Sequence, residues 1–62
     1  MSEILFEFLR QGNFVRVSAI EPKTRLEAVV IVPASLDENQ MKIQALNKLK
    51  YLLQKVDRKS VV

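Results

Sequence analysis

Hydrophobic and polar positions follow a strand-like pattern in the first half of the chain and a helical period afterwards. Apolar and aromatic residues concentrate in Ile4 to Arg10, Phe14 to Ile20 and Leu26 to Val32, which have the length and the β-branched or aromatic content of strands. From Met41 onward apolar residues recur at intervals of three and four, the spacing of one helix face. The pattern predicts three strands followed by one helix that runs to about Lys59.

The segment between the first two strands predicts a tight hairpin. Gly12 is the only glycine of the chain, and the neighbouring Asn13 also tolerates positive φ. A two-residue loop at Gln11-Gly12 would place Glu7 opposite Arg16 as a cross-strand ion pair. After the second strand, residues 21 to 25 predict another turn, because proline fixes φ and lacks a backbone donor.

This meander gives the sheet two different faces. One face carries a nearly continuous apolar set, which the helix should cover: Ile4, Phe6, Phe8, Val15, Val17, Ala19, Leu26, Ala28, Val30 and Val32. The opposite face mixes Leu5, Leu9, Phe14, Val29 and Ile31 with Glu7, Arg16, Ser18 and Glu27. A sheet with one solvated face should alternate apolar with polar residues, and this face does so imperfectly.

The helix is predicted from its cap as well as from its period. Ser35 is a good N-cap and Glu38 completes a capping box, so the helix should start at Leu36. Residues 58–62 continue no pattern and should fray. We therefore predict a single α+β domain over residues 1–62, a three-stranded antiparallel β-meander followed by one C-terminal α-helix packed on one sheet face.

The size of the chain makes assembly with another molecule attractive. A chain of 62 residues buries only about 60% of the surface that its unfolded form exposes. It contains no cysteine and no histidine, so neither a disulfide nor a Cys/His metal site is available, and we expect no cofactor. The remaining way to stabilise a small scaffold is oligomerisation or docking on a partner.

The residue inventory argues against an enzyme. Without histidine, cysteine, a glycine-rich phosphate loop or a nucleophile turn, only seven carboxylates remain as catalytic candidates. Solvated charges and cross-strand pairs are the simpler account of them. We therefore expect a non-enzymatic protein.

The second half of the chain carries all of the net charge. Residues 1 to 31 hold four acids and four bases, whereas residues 32 to 62 hold three acids and six bases. Nucleic-acid contact is thus an alternative function, through Arg16, Lys23, Arg25, Lys48 and Lys55. Acids in the first helical turn and bases in the last also suit the helix dipole of any protein, and an acidic protein partner would fit the same surface.

The uncovered sheet face is the main candidate site. Exposed apolar area of this kind usually marks a protein contact, so we expect self-association as a homodimer, or another protein partner, through Leu5, Leu9, Phe14, Val29 and Ile31. An unprotected edge strand would serve equally well. Alternatively Leu9 and Phe14 pair across the hairpin end, or the chain ends fold over the patch.

The start of the chain has no basic run or apolar core of the signal-peptide type, and no apolar run is long enough for a membrane span. We expect a cytoplasmic protein, with which the absence of cysteine is compatible.

Five short runs carry a resemblance to a known family: Phe6-Glu7-Phe8, residues 14 to 20, Pro22-Lys23-Thr24, Pro33-Ala34 and Lys48-Leu49-Lys50-Tyr51. Together with Gly12 they resemble a family of small uncharacterised alphaproteobacterial proteins, from about Phe6 to Lys55. In that family a Thr-Gly turn follows the second strand and a glycine precedes the Pro-Ala, whereas this chain has Thr24-Arg25 and Val32-Pro33-Ala34. The resemblance implies a bacterial accessory protein and transfers no site residues.

Overall fold

The computed structural model describes residues 3–57, and side chains as far as Gln54. Three strands, β1 (Leu5–Gln11), β2 (Phe14–Glu21) and β3 (Leu26–Pro33), precede one helix, α1 (Glu38–Asp57). The strands form one antiparallel sheet in the order β1-β2-β3. The predicted α+β meander is therefore confirmed, with strand ends within one residue of those expected. The predicted fraying of residues 58–62 lies outside the described residues.

The hairpin between β1 and β2 differs from the prediction by one position. Gln11 pairs with Phe14, so the two-residue loop is Gly12-Asn13 and not Gln11-Gly12. Gly12 has a φ of 62°, and Asn13 is not among the residues with positive φ. Glycine with positive φ at the first loop position is the arrangement of a type II′ turn, which matches the twist of the flanking strands.

This loop shifts the register of β1 against β2 by two residues. Glu7 lies opposite Ser18 and Arg16 lies opposite Leu9, so the predicted Glu7–Arg16 pairing is wrong. Because side chains alternate with a period of two, a shift of two residues leaves every side chain on its predicted face.

The core lies between the helix and one sheet face. Helix α1 packs over β2 and β3. Its buried side chains meet those of the two strands in one cluster: Val15, Val17, Ala19, Ala28, Val32, Met41, Ala45 and Leu49. The predicted face is the correct one, but the helix does not centre on the phenylalanines. Phe6 is half-buried and Phe8 remains 38% exposed, since both lie on β1, away from the helix axis.

The turn between β2 and β3 is held by the buried Glu21. Its Oε1 accepts hydrogen bonds from the backbone N–H of Thr24 at 2.9 Å and from the Thr24 hydroxyl at 3.1 Å. Arg25 closes the turn with a φ of 65° and donates its N–H to the carbonyl of Glu21 at 2.7 Å. A left-handed non-glycine residue is strained, so Arg25 occupies a position that favours glycine.

The helix begins two residues later than predicted, and its cap is Asp37 rather than Ser35. The Asp37 carboxylate accepts from the backbone N–H of Gln40 at 2.9 Å, which is the N-cap contact to the third helical residue. Ser35 belongs instead to a turn closed by the N–H of Leu36 and the carbonyl of Pro33 at 3.1 Å. The four residues 34–37 thus connect β3 to a helix that runs back along the sheet.

Candidate interaction face

The sheet surface opposite the helix, which we call the open face, is rich in exposed apolar side chains. Leu5 and Leu9 are 49% and 52% exposed on β1, Phe14 is 53% exposed on β2, and Ile31 is 60% exposed on β3. The strand register places Leu9, Arg16 and Ile31 in one row across the sheet. These four apolar residues lie where the sequence predicted them.

The centre of the open face is partly filled by smaller or half-buried side chains. Val29, the fifth residue of the predicted interface, is half-buried beside Ser18, which is 6% exposed. Ile20 also lies on this face, opposite Leu5, and was not assigned to it from the sequence. Ile20 lies six residues after Phe14 on the same strand, and an even separation places two side chains on the same sheet face, so its position could have been predicted.

Three charged side chains share the open face with the apolar ones. Glu7, Arg16 and Glu27 are all exposed, and within residues 3–54 none of them forms an ion pair. Directly paired residues lie on the same sheet face, so Glu7, which pairs with Ser18, and Glu27, which pairs with Ile20, both lie on the open face. The open face therefore offers two acids and one base to a molecule that covers it.

The predicted nucleic-acid residues do not come together on one surface. Arg16 lies on the open face, while Lys23 and Arg25 lie in the turn between β2 and β3. Lys48 lies on α1, where its Nζ donates to the backbone carbonyl of Val29 at 2.9 Å. The side chain of Lys55 lies outside those described. Nucleic-acid contact stays a prediction.

Two shallow clefts open at the hairpin end of the sheet. One, of about 470 Å³, lies between β1 and the start of α1 and is lined by Phe8, Arg10, Val15, Leu36, Glu38 and Met41. The other, of about 590 Å³, is lined by Arg10, Asn13, Phe14, Pro33, Ala34 and Ser35. Arg10 and Glu38 are the only ionisable side chains in these linings, so neither cleft brings a nucleophile and a base together.

The described part of the chain also contains no cluster of three or more metal-ligating side chains. Its one helix lacks the run of apolar residues that a membrane span needs.

Comparison with known proteins places the chain in a family without giving it an activity. No curated protein and no solved structure matches it. A family model described as a domain of unknown function, DUF6898, matches residues 1–56, which is nearly the whole chain. The earlier expectation of a small uncharacterised family is confirmed at this level. By its sequence, the strand-strand-strand-helix protein described here belongs to the DUF6898 family.

Proposed function

We propose that the protein is a non-enzymatic interaction module that forms a homodimer by packing the open faces of two copies together. The observation that carries this proposal is the exposure of Leu5, Leu9, Phe14 and Ile31 on one sheet surface, each by about half or more. Several large apolar side chains exposed on one surface are typical of a protein contact.

The charges on the open face favour a second copy over an unrelated partner. A twofold axis brings the same surface to both sides of an interface, so a surface that carries both signs can pair with itself. Glu7 and Glu27 of one copy can then meet Arg16 of the other. A face of one sign would repel its own copy, whereas this one offers charges of both signs for pairing.

The area of the face indicates a weak to moderate dimer. Three strands about 4.8 Å apart and eight residues long cover roughly 370 Å² in projection. Two copies would therefore bury about 740 Å² in projection, or roughly 1,000 Å² of accessible surface once the relief of the side chains is included, which is below the ~1,200 Å² of a standard-size interface. We expect dissociation in the micromolar range or above.

The test compares two identical substitutions at sites of similar exposure. Ile31 is 60% exposed on the open face and Ile43 is 47% exposed on α1. We expect Ile31→Ser to raise the dimer dissociation constant at least about tenfold, which corresponds to about 1.4 kcal/mol. Ile43→Ser should leave it unchanged. The measurement is solution mass by size exclusion with light scattering, from about 1 µM to 500 µM, which brackets the expected dissociation constant.

The double variant Phe14→Ser/Ile31→Ser removes two side chains of the same surface and should abolish the contact between open faces throughout this range. A wild-type protein that stays monomeric at 500 µM, or a dimer that Ile31→Ser and Ile43→Ser weaken equally, would rule out the open face as the contact.

We further propose that the module works in the cytoplasm of a bacterium. The family resemblance supports a bacterial source, and a chain that uses no cysteine needs no oxidising compartment for its fold. Cell fractionation with an antibody to the protein would test the location.

A further inference from the structure

Strand β1 has the composition of a central strand but lies at the edge of the sheet. Its apolar residues alternate over both faces, with Phe6 and Phe8 on the helix side and Leu5 and Leu9 on the open side. All of its residues except Phe6 are exposed. Strands that are apolar on both faces are ordinarily covered on both and paired on both edges, so β1 lacks a neighbour.

The direction of the backbone groups on this edge follows from contacts elsewhere in the sheet. The carbonyl of Val29 points away from β2, since it accepts from Lys48. In an antiparallel sheet, the backbone N–H and C=O groups of two paired residues either both point toward each other or both point away from each other. Ser18 is paired with Val29, so its backbone groups point away from β3 and toward Glu7, its partner on β1. The backbone groups of Glu7 point back toward Ser18, and the direction alternates from residue to residue along β1. The N–H and C=O groups of Phe6, Phe8 and Arg10 therefore point outward. Within residues 3–57, no protein group forms a hydrogen bond with these outward backbone groups.

The other edge of the sheet is partly protected. On β3 the Lys48 side chain occupies the carbonyl of Val29. Pro33 has no backbone N–H to offer, and its carbonyl accepts from Leu36. Lysine and proline on an edge are the usual means of preventing strand addition. Two of the four outward positions of β3 are thus blocked or occupied, at Val29 and Pro33, so β1 is the more open of the two edges and the preferred one for strand addition.

We propose that a second copy adds to this edge, with β1 antiparallel to the partner's β1 and Phe8 opposite the partner's Phe8. The inference rests on the proposed self-association and names a second contact for it. Residues whose backbone groups point outward must lie opposite residues of the partner whose backbone groups also point outward. The permitted registers of the two β1 strands therefore differ by shifts of two residues. The chosen register pairs all seven residues of β1.

Charge selects against a neighbouring register. Moving the pairing one step so that Phe6 meets the partner's Phe8 would set the two Glu7 side chains directly opposite each other, which is destabilising. In the register centred on Phe8, Glu7 lies opposite Leu9 and Arg10 lies opposite Phe6, and no like charges are directly paired. About six main-chain hydrogen bonds would form, two for each pair of outward residues.

The result is one six-stranded sheet with both helices on the same side. Each β1 becomes a central strand, which suits its composition on both faces. The two open faces also join into one surface of twice the area, and packing two such pairs through it gives a tetramer that uses both contacts.

Residue-resolved amide hydrogen exchange of the wild-type protein tests this pairing without any substitution. The N–H groups of Glu7 and Leu9 point to β2 and should be protected at every concentration. Those of Phe6 and Phe8 should exchange quickly in dilute solution and at least about 100-fold more slowly at high concentration. Phe6 and Phe8 amides that stay fast where light scattering shows an assembled protein would overturn the inference.

A charge placed at the edge provides a second test. Phe8→Lys should abolish the slow exchange at Phe6, whereas Ile43→Lys, the same charge on the outer helix surface, should not. The outcomes separate the two proposals. If the Phe6 and Phe8 amides are protected and Ile31→Ser leaves the solution mass unchanged, the edge contact alone is supported. If these amides exchange quickly and Ile31→Ser lowers the solution mass, the face contact alone is supported.

Discussion

The Nζ of Lys48 donates a hydrogen bond of 2.9 Å to the backbone carbonyl of Val29, which lies nineteen residues earlier in the chain. The contact fixes the helix to the outer edge of β3 and occupies an acceptor that an incoming strand would use. A single exposed side chain therefore serves both the packing of the helix and the protection of the edge.

We expect Lys48→Met to lower the free energy of unfolding by about 0.5 to 1 kcal/mol, because an exposed charged donor contributes less than a buried one. Lys50→Met is the control, since Lys50 is exposed on the same helix and has no hydrogen bond or ion pair in the structure. Urea unfolding followed by circular dichroism measures both. Equal losses in the two variants would show that the Lys48 contact contributes nothing.

Among the side chains described for the helix, Leu49 is the largest that is fully buried, at 0% exposure. Leu49→Ala should cost about 3 kcal/mol or more, since it leaves a cavity in the core cluster to which Leu49 belongs. A 62-residue domain has roughly 3 to 9 kcal/mol of stability in total, so this variant should lose between about a third and all of it. Ile43→Ala, at an exposed position of the same helix, should change stability by less than about 0.5 kcal/mol.

Arg25 and Gly12, which both have positive φ, predict opposite effects of substitution. Arg25→Gly should stabilise the protein by up to about 1 kcal/mol, because relief of left-handed strain exceeds the added entropy of the unfolded chain. Gly12→Ala should destabilise it by about 1 kcal/mol through the backbone alone, since nothing lies within 4 Å of the added Cβ. Thermal unfolding of the two variants against wild type checks both signs. Destabilisation by Arg25→Gly would contradict the assignment of strain at this turn.

Binding to a random DNA duplex should be weak and should depend only modestly on salt. Of the four candidate basic side chains in the described part of the chain, only Lys23 and Arg25 lie in one turn. Two phosphate contacts correspond to a slope of about −2 in the logarithm of affinity against the logarithm of salt concentration. A slope of −4 or steeper, from titrations between 50 and 200 mM salt, would instead favour the nucleic-acid alternative.

The alternation of side chains was sufficient to predict the two sheet faces and four exposed residues of the open face. It could not predict the register of β1, because loops at Gln11-Gly12 and Gly12-Asn13 differ by a shift of two residues and give the same faces. The choice between them depends on which loop position needs positive φ, a property of glycine and not of hydrophobicity.

The position of the helix across the sheet also could not be predicted from the hydrophobic pattern. A period of three and four residues identifies which side of the helix is buried, but not which strands it covers. The short connection of residues 34–37 holds the start of α1 near the end of β3, so the helix lies over β3 and β2 and leaves Phe8 exposed. The same connection explains why Ser35 is used in a turn and Asp37 in the cap.

The order of the elements has a consequence for synthesis in the cell. Every strand pairs with its neighbour in sequence, so the sheet can form as soon as β3 has left the ribosome, with little loop closure to slow it. The helix that covers the core face is translated after the three strands, and its connection and body need about 24 further residues. Until those residues have also emerged and folded, the sheet keeps both apolar faces uncovered. During that interval an elongating chain has nothing but the ribosome, a chaperone or another nascent copy to shield it.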